Sequence, residues 1–229
     1  MNKINLYVNG DSHTAGTYLE NLSDDKKCFS SLLAKRYDLT HINEALAGGS
    51  NNRIIRVSKE YLRNAEPTRT VVLIGWSTFE RTEWHVDGQW HQICGQPLYE
   101  IKIPKLKKYW KDYTDKVWND PNWTFYHARS IECQHAILEF HHWLKKKNFR
   151  HLFFHAHKEF TVDKIFRLDW PGNIWTGNDP YDASLSFTQH SLKKGHSPDA
   201  WYHFDYEAHK DYADFIRGDF EKILINRSQ

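Results

Sequence analysis

The chain is poor in cysteine and nearly balanced in charge, and both absences narrow its class. Three cysteines, Cys28, Cys94 and Cys133, are an odd number at wide spacing. That argues against a disulfide framework and suits a reducing compartment. An excess of one charge sign is missing as well: 31 basic against 29 acidic residues leave a formal net charge of +2. Composition therefore calls for neither a nucleic acid nor an anionic membrane as partner. The lysine runs at Lys105, Lys107, Lys108 and Lys111 and at Lys145, Lys146 and Lys147 read as solvated faces; the second closes a helix, where cations suit the dipole. No apolar run approaches the roughly 20 residues of a membrane span. The first ten residues are too polar for a secretory leader and already read as a strand, so a cytoplasmic location is expected. Repeats, low-complexity tracts and linkers are also missing, which makes residues 1–229 one domain.

Aromatic side chains, by contrast, are abundant: ten tryptophans, fifteen histidines and 15% Phe, Trp and Tyr. The first half alternates strand and helix. Strands are predicted at 4–8, 41–45 and 70–75, and helices at 26–37 and 51–64, each with apolar residues on one face. The run Thr70-Val-Val-Leu-Ile-Gly75 is continuous and β-branched, as in a strand covered on both faces. Such an order implies a parallel sheet. From 77 to 122 the pattern breaks into a tryptophan-rich insertion with some helix at 105–118. A helix over 128–147 and a strand over 151–155 follow. Residues 160–197, with Trp170 and Trp175, read as a second irregular, lid-like stretch. The last element is a helix from 205 onward, with Ala208, Tyr212, Phe215 and Ile223 inward and an interruption at Gly218.

Four segments carry chemistry. In LYVNGDSHTAG, residues 6–16, an apolar run ends on Gly10-Asp11-Ser12. A strand that stops there and leads into a helix presents a serine hydroxyl at the carboxyl edge of a parallel sheet, where open α/β folds bind ligands. The serine amide then lies at a helix start, among unpaired donors able to hold an oxyanion. Residues 43–51 end in Gly48-Gly49-Ser50-Asn51, a glycine pair that lets backbone approach a ligand closely. Gly75-Trp76-Ser77-Thr78 ends the third strand. Finally, Asp199-Ala-Trp-Tyr-His203 brings a carboxylate and an imidazole together late in the chain. A nucleophile, a base, an acid and two or three donors are what acyl transfer requires.

These segments resemble, in order, the four sequence blocks of the SGNH (GDSL-type) hydrolase superfamily, and more narrowly its divergent members from bacteriophage and marine microbial sequences. Gly10-Asp11-Ser12 with Thr14 and Gly16 is similar to the first block, GDSxTxG; Asn43 through Gly48-Gly49 to the second; and His203, with Tyr212-Ala213 further on, to the last. The resemblance implies a three-layer α/β/α sandwich of about five parallel strands in flavodoxin-like order, and a serine esterase. Carbohydrate O-deacetylation is among the candidate reactions. In that reading Ser12 is the nucleophile, His203 the base and Asp199 the acid. The amides of Ser12 and Gly48 hold the oxyanion, with Ser77 as third donor, and Asp11, Asn51, Trp76 and Arg81 line the substrate. The partner is a small-molecule or glycan ester. No metal or organic cofactor is implied, and a phage origin would shift the location to host cytoplasm or virion.

Two departures from the family pattern stand out. The third block is Gly-x-Asn in the family, and here Ser77 replaces the asparagine. The family's acid lies three residues before the histidine, where this chain has Ala200; Asp199 is one residue further away. Asp199 is open to two roles, triad acid or local cap, and the site is either a triad or a Ser–His dyad. The rival to an enzyme is a non-catalytic protein of the same fold, glycan-binding or virion-associated. His155 with His157, and His141 with His142, lack a third ligand at metal spacing and read as core or surface. A cleft above Ser12 walled by 77–122 and by the stretch around Trp170 and Trp175, with at least one tryptophan lining it, is also expected.

Overall fold

The computed structural model describes residues 3–17, 28–93, 104–157 and 186–225. Its centre is a parallel sheet of β1 (Asn5–Asn9), β2 (Thr40–Asn43), β3 (Thr70–Trp76) and β6 (Arg150–His155), in the order β2-β1-β3-β6. About five strands are expected from the sequence; among the described residues the sheet has four. Two more strands, β4 (Thr82–Val86) and β5 (Gln89–Ile93), pair with each other in a separate antiparallel hairpin. That hairpin was legible, because Asp87-Gly88 between alternating segments is a strong turn signal. Both residues of the turn have positive φ, 51° and 78°.

Strand alternation sorts the core into two layers. Tyr7, Val72, Ile74 and Phe153 face helices α3 (Asn51–Leu62) and α5 (Thr124–Lys146) through Ile54, Leu62, Ile137, Phe140 and Leu144. Leu6, Val8, Val71, Leu73, Leu152 and Phe154 face α2 (Phe29–Arg36), α6 (Phe187–Lys193) and α7 (Tyr206–Ile225). Burial on both sides explains the unbroken apolar run of β3. The insertion contributes α4 (Lys107–Trp118), where helix is expected.

Three local expectations are corrected. Gly218 does not interrupt α7, which runs continuously over twenty residues. Phe215 is not inward: it is 37% exposed and stacks on His190 at 4.0 Å, while Ile216 and Phe220 fill the core. The stretch 160–197 contains a regular helix, α6, begun by Ser186, whose Oγ accepts the Gln189 amide. Ser-x-x-Gln is a helix-start signature readable in the sequence. Trp170 and Trp175 lie outside the described residues.

Candidate active site

β1 ends at Asn9, and Asp11 caps the short helix α1 (Ser12–Ala15) by accepting the His13 amide on Oδ1 at 3.1 Å. The turn is tight because Thr14 folds back beneath it. A side chain at Gly10 or Gly75 would overlap Thr14 Oγ1, so both positions must lack one. Asn43, at the end of β2, donates to the Thr14 carbonyl at 3.3 Å. Ser12 thus stands on a one-turn helix at the carboxyl edge of the sheet, 5% exposed.

The second block closes against the first. Gly48 takes φ 73°, a conformation that disfavours any side chain, and a Cβ on Gly49 would lie 2.9 Å from the Gly10 carbonyl oxygen. The Gly49 amide is spent on Leu46 and the Ser50 amide on Gln92 Oε1 at 3.1 Å. Among the described residues, the amides of Ser12 and Gly48 donate to no protein group. Among the described residues, the serine turn and the loop packed on it thus each offer one such amide.

Behind Ser12 lies a buried charge network. Asp11 is fully buried, and its Oδ2 accepts from His157 Nε2 at 2.5 Å, Arg81 Nη1 at 2.9 Å and Ser77 Oγ at 3.3 Å. Burial alone would raise the Asp11 pKa. The charge and hydrogen bond of His157, with His13 and Arg81, overcome it and hold the carboxyl well below the usual range. The carboxylate is therefore ionised and can only accept, so His157 Nε2 carries the proton in this bond.

A histidine cluster joins this network to the last block. The His13 ring lies 4.7 Å from that of His157 and 5.6 Å from that of His203, between centroids, and also packs on Phe187. Burial first, then His157, pushes the His13 pKa well below its ordinary value. Asp199 Oδ1 accepts the amides of Trp201 at 2.9 Å and His203 at 2.8 Å, and lies 3.7 Å from His203 Nδ1. That last separation exceeds a hydrogen bond. Burial lowers the His203 pKa, with Asp199 and Asp11 opposing and Arg81 and His157 reinforcing the shift. Among the described residues no hydrogen bond joins Ser12 to His203; such contacts commonly tighten only with substrate bound.

Four expected site roles are corrected. Trp76 does not line a ligand site: it is fully buried, its ring 4.9 Å from Phe153 and 6.2 Å from Phe140. Strand alternation turns it into the α3/α5 layer. Asn51 does not face substrate either. Its amide group brackets the Ser77 backbone, Oδ1 accepting the Ser77 N–H and Nδ2 donating to the Ser77 carbonyl, both at 2.8 Å. Ser77 is consequently no free donor, because its amide is held by Asn51 and its hydroxyl points to Asp11. Arg81 is also turned to Asp11 and Ser77, the latter at 2.8 Å.

His157 and His13 are the residues the sequence reading missed. His157 follows β6, the fourth parallel strand, and its place at a carboxyl strand end was a usable signal. His209, on α7, accepts the Phe29 amide on Nδ1 and is pushed down to about 3 by burial, which marks it as structural. The insertion reaches the site through Arg81 and Gln92. Two of its tryptophans pack elsewhere, Trp84 on Tyr113 and Trp90 over Arg56. Among the described residues there is no group of three metal-ligating side chains and no helix apolar enough to cross a membrane.

The sheet order, the serine turn at its edge and the two helical layers define the SGNH-hydrolase fold. Over 96% of the chain, it superposes on TesA at a TM-score of 0.54 with 11% identity, covering 99% of that chain. The psychrotrophic esterase EstA from Pseudoalteromonas sp., in a structure inhibited by monoethylphosphonate, matches at a TM-score of 0.52 and 13% identity, over 96% of this chain and 98% of that one. A member of the lipolytic protein G-D-S-L family from Veillonella parvula gives a TM-score of 0.49 and 9% identity, over 95% and 98%. The chain itself belongs to DUF6071, a family of unknown function, whose model matches residues 10–173. No curated protein matches the sequence.

Proposed function

We propose that this protein is a serine-dependent ester hydrolase. Ser12 Oγ attacks the ester carbonyl carbon while His203 takes its proton. The carbonyl oxygen, now an oxyanion, is held by the amides of Ser12 and Gly48. Collapse breaks the bond to the leaving alkoxide, which receives the proton from His203 and leaves an acyl-serine. A water molecule then repeats the sequence and frees the acid. Asp199 stabilises the charged form of His203 through space and holds its loop.

The observation that carries this reading is the pair of amides, Ser12 and Gly48, that donate to no group among the described residues, one on the serine turn and one on the loop that packs against it at Gly10. The lowered His203 pKa supports it, since a base must be neutral at working pH. The inhibition of EstA, a protein of like fold, by a phosphonate agrees with serine chemistry on this scaffold. The substrate proposed is a small-molecule or glycan ester, acetylated sugars included, with no cofactor.

One observation favours a non-catalytic binding protein instead: the third-block donor is occupied, with Ser77 turned to Asp11. Labelling with a fluorophosphonate probe separates the two. The enzyme reading expects covalent modification that disappears in Ser12→Ala, together with turnover of p-nitrophenyl acetate. A wild-type protein that neither labels nor turns over is the binding protein.

A further inference from the structure

We propose that the imidazole of His13 is a substrate-binding group of this site, and that it takes a hydroxyl on the alcohol half of the ester, beside the bond that is cut. The inference rests on the serine-hydrolase reading and deepens it by naming the substrate class, an ester of a vicinal diol or polyol. His13 is 3% exposed, and among the described residues neither of its ring nitrogens forms a hydrogen bond. A buried donor or acceptor left unpaired costs stability, and native structures hold few of them.

Packing alone does not call for an imidazole there. The ring lies 5.3 Å from that of Phe187 and 6.2 Å from that of Phe204, between centroids. A phenyl group would pack on the same neighbours with no polar atom to satisfy. Nor does the ring serve as a charge. Burial and then His157 hold its pKa well below the ordinary histidine value, with His203 and Arg81 acting in the same direction against Asp11. A neutral imidazole carries one N–H and one lone pair. A cationic ligand group is disfavoured beside Arg81 and His157, and a neutral ring has no charge to offer an anion. A hydroxyl both donates and accepts, so it fits whichever nitrogen it meets.

The place of His13 selects the part of the substrate it meets. It follows Ser12 on α1, and its ring stands 5.6 Å from that of His203, between centroids. In the proposed reaction Ser12 bonds the carbonyl carbon and His203 returns its proton to the leaving oxygen. The alcohol half therefore lies against His203, within hydrogen-bond reach. His13, next to the nucleophile in the chain and next to the base in space, meets the carbon adjoining the one that bears the leaving oxygen. A bonded imidazole pair elsewhere in this molecule sets the scale: His141 and His151 share a 2.8 Å hydrogen bond with centroids 4.9 Å apart. His13 and His203 stand further apart and share no such bond, so the His13 nitrogens are not spent on the base.

The test compares two acetate esters of equal size, 2-hydroxyethyl acetate and propyl acetate, with active sites counted by fluorophosphonate titration of Ser12. In the wild type, kcat/KM should be at least about tenfold higher for the hydroxyl-bearing ester, the scale of one hydrogen bond to an otherwise unpaired buried group. His13→Phe should bring the two esters within about threefold of each other. A wild-type ratio below about threefold overturns the inference alone. So does a ratio that His13→Phe leaves unchanged, whatever happens to the absolute rates, because a structural imidazole affects both esters alike. If His13→Phe does not fold, the smaller His13→Leu decides by the same ratio. Glycerol 1-acetate and an acetylated methyl glucoside, each compared with propyl acetate, then tell an open-chain polyol from a sugar ring. A wild-type protein that neither labels nor turns over either ester removes the serine-hydrolase reading and this inference together.

Discussion

Two aspartate–histidine pairs flank Ser12, and they are built in opposite ways. Asp11 and His157 meet at 2.5 Å, their side chains 0% and 11% exposed, with Arg81 and Ser77 completing the carboxylate's partners. Asp199 and His203 stand 3.7 Å apart, and the Asp199 side chain is 39% exposed. The first pair has the bond length of a triad acid on its histidine, but it holds the turn that carries Ser12. The second lies one residue off the family's triad spacing, and its carboxylate is spent on two backbone amides. Tightness and catalytic position are thus separated in this molecule. The close pair organises and the loose pair is proposed to react.

The largest expected effect falls on the serine between them. Ser12→Ala should abolish p-nitrophenyl acetate turnover while leaving the thermal midpoint nearly unchanged, since among the described residues the hydroxyl bonds to no other group. Wild-type turnover in that variant would break the assignment.

The next tests whether the loose pair is a triad. In an intact triad, disabling the acid alone costs about 10⁴ in rate. With 3.7 Å between Asp199 and His203, Asp199→Asn should cost well below that figure and clearly less than His203→Ala. Equal, complete loss in both variants would show that the loop closes into a triad when substrate binds.

The tight pair is tested by stability. Asp11→Asn removes the anion from between Arg81 and His157 and breaks a buried ion pair, at a cost of about 3–5 kcal/mol in urea unfolding. A change below about 1 kcal/mol, the range of exposed ion pairs, would mean that the network is not structural.

Acid should weaken the whole assembly. His151, His155 and His209 have pKa values pushed down by burial to about 4, 3 and 3. Below about pH 6.5 the unfolded chain binds protons that the folded one refuses, so stability falls as pH drops through that range. Asp11, held low, adds stability that is present above its unfolded value near 4 and is lost further down. Chemical denaturation between pH 7 and 4 should show a steady fall in the midpoint; a flat profile contradicts the buried neutral histidines.

The smallest effect concerns the loop beside Gly48. Gln92 accepts the Ser50 amide and donates to Glu83 at 3.3 Å, and Glu83 is gripped by Arg56 of α3 through two 2.8 Å bonds. Gln92→Ala should cost about 1 kcal/mol in unfolding and reduce turnover only a few-fold. The loop retains Gly49 against Gly10.

Much of this was legible because the signals are local. The β-branched run of β3, the Gly-Asp-Ser turn and the glycine pair each state their backbone requirement within a few residues. So did two elements that the reading passed over, the hairpin at Asp87-Gly88 and the helix begun by Ser186. The roles given to Trp76 and Asn51 failed for a different reason. A position near a strand end does not reveal which layer its side chain enters, and Trp76 entered the apolar one.

The sequence by itself determined the order of strands and helices, the two buried faces of the sheet and the turn that presents Ser12. It did so through period-two and period-3.6 patterns and local capping chemistry, which need only neighbouring residues. The tertiary structure alone decided that Asn51 holds Ser77, that Arg81 turns back to Asp11, and that His157 reaches the same carboxylate from 146 residues away. No local pattern encodes such a meeting. It follows from parallel strands whose carboxyl ends converge on one edge, where a buried charge must find whatever partners the fold delivers.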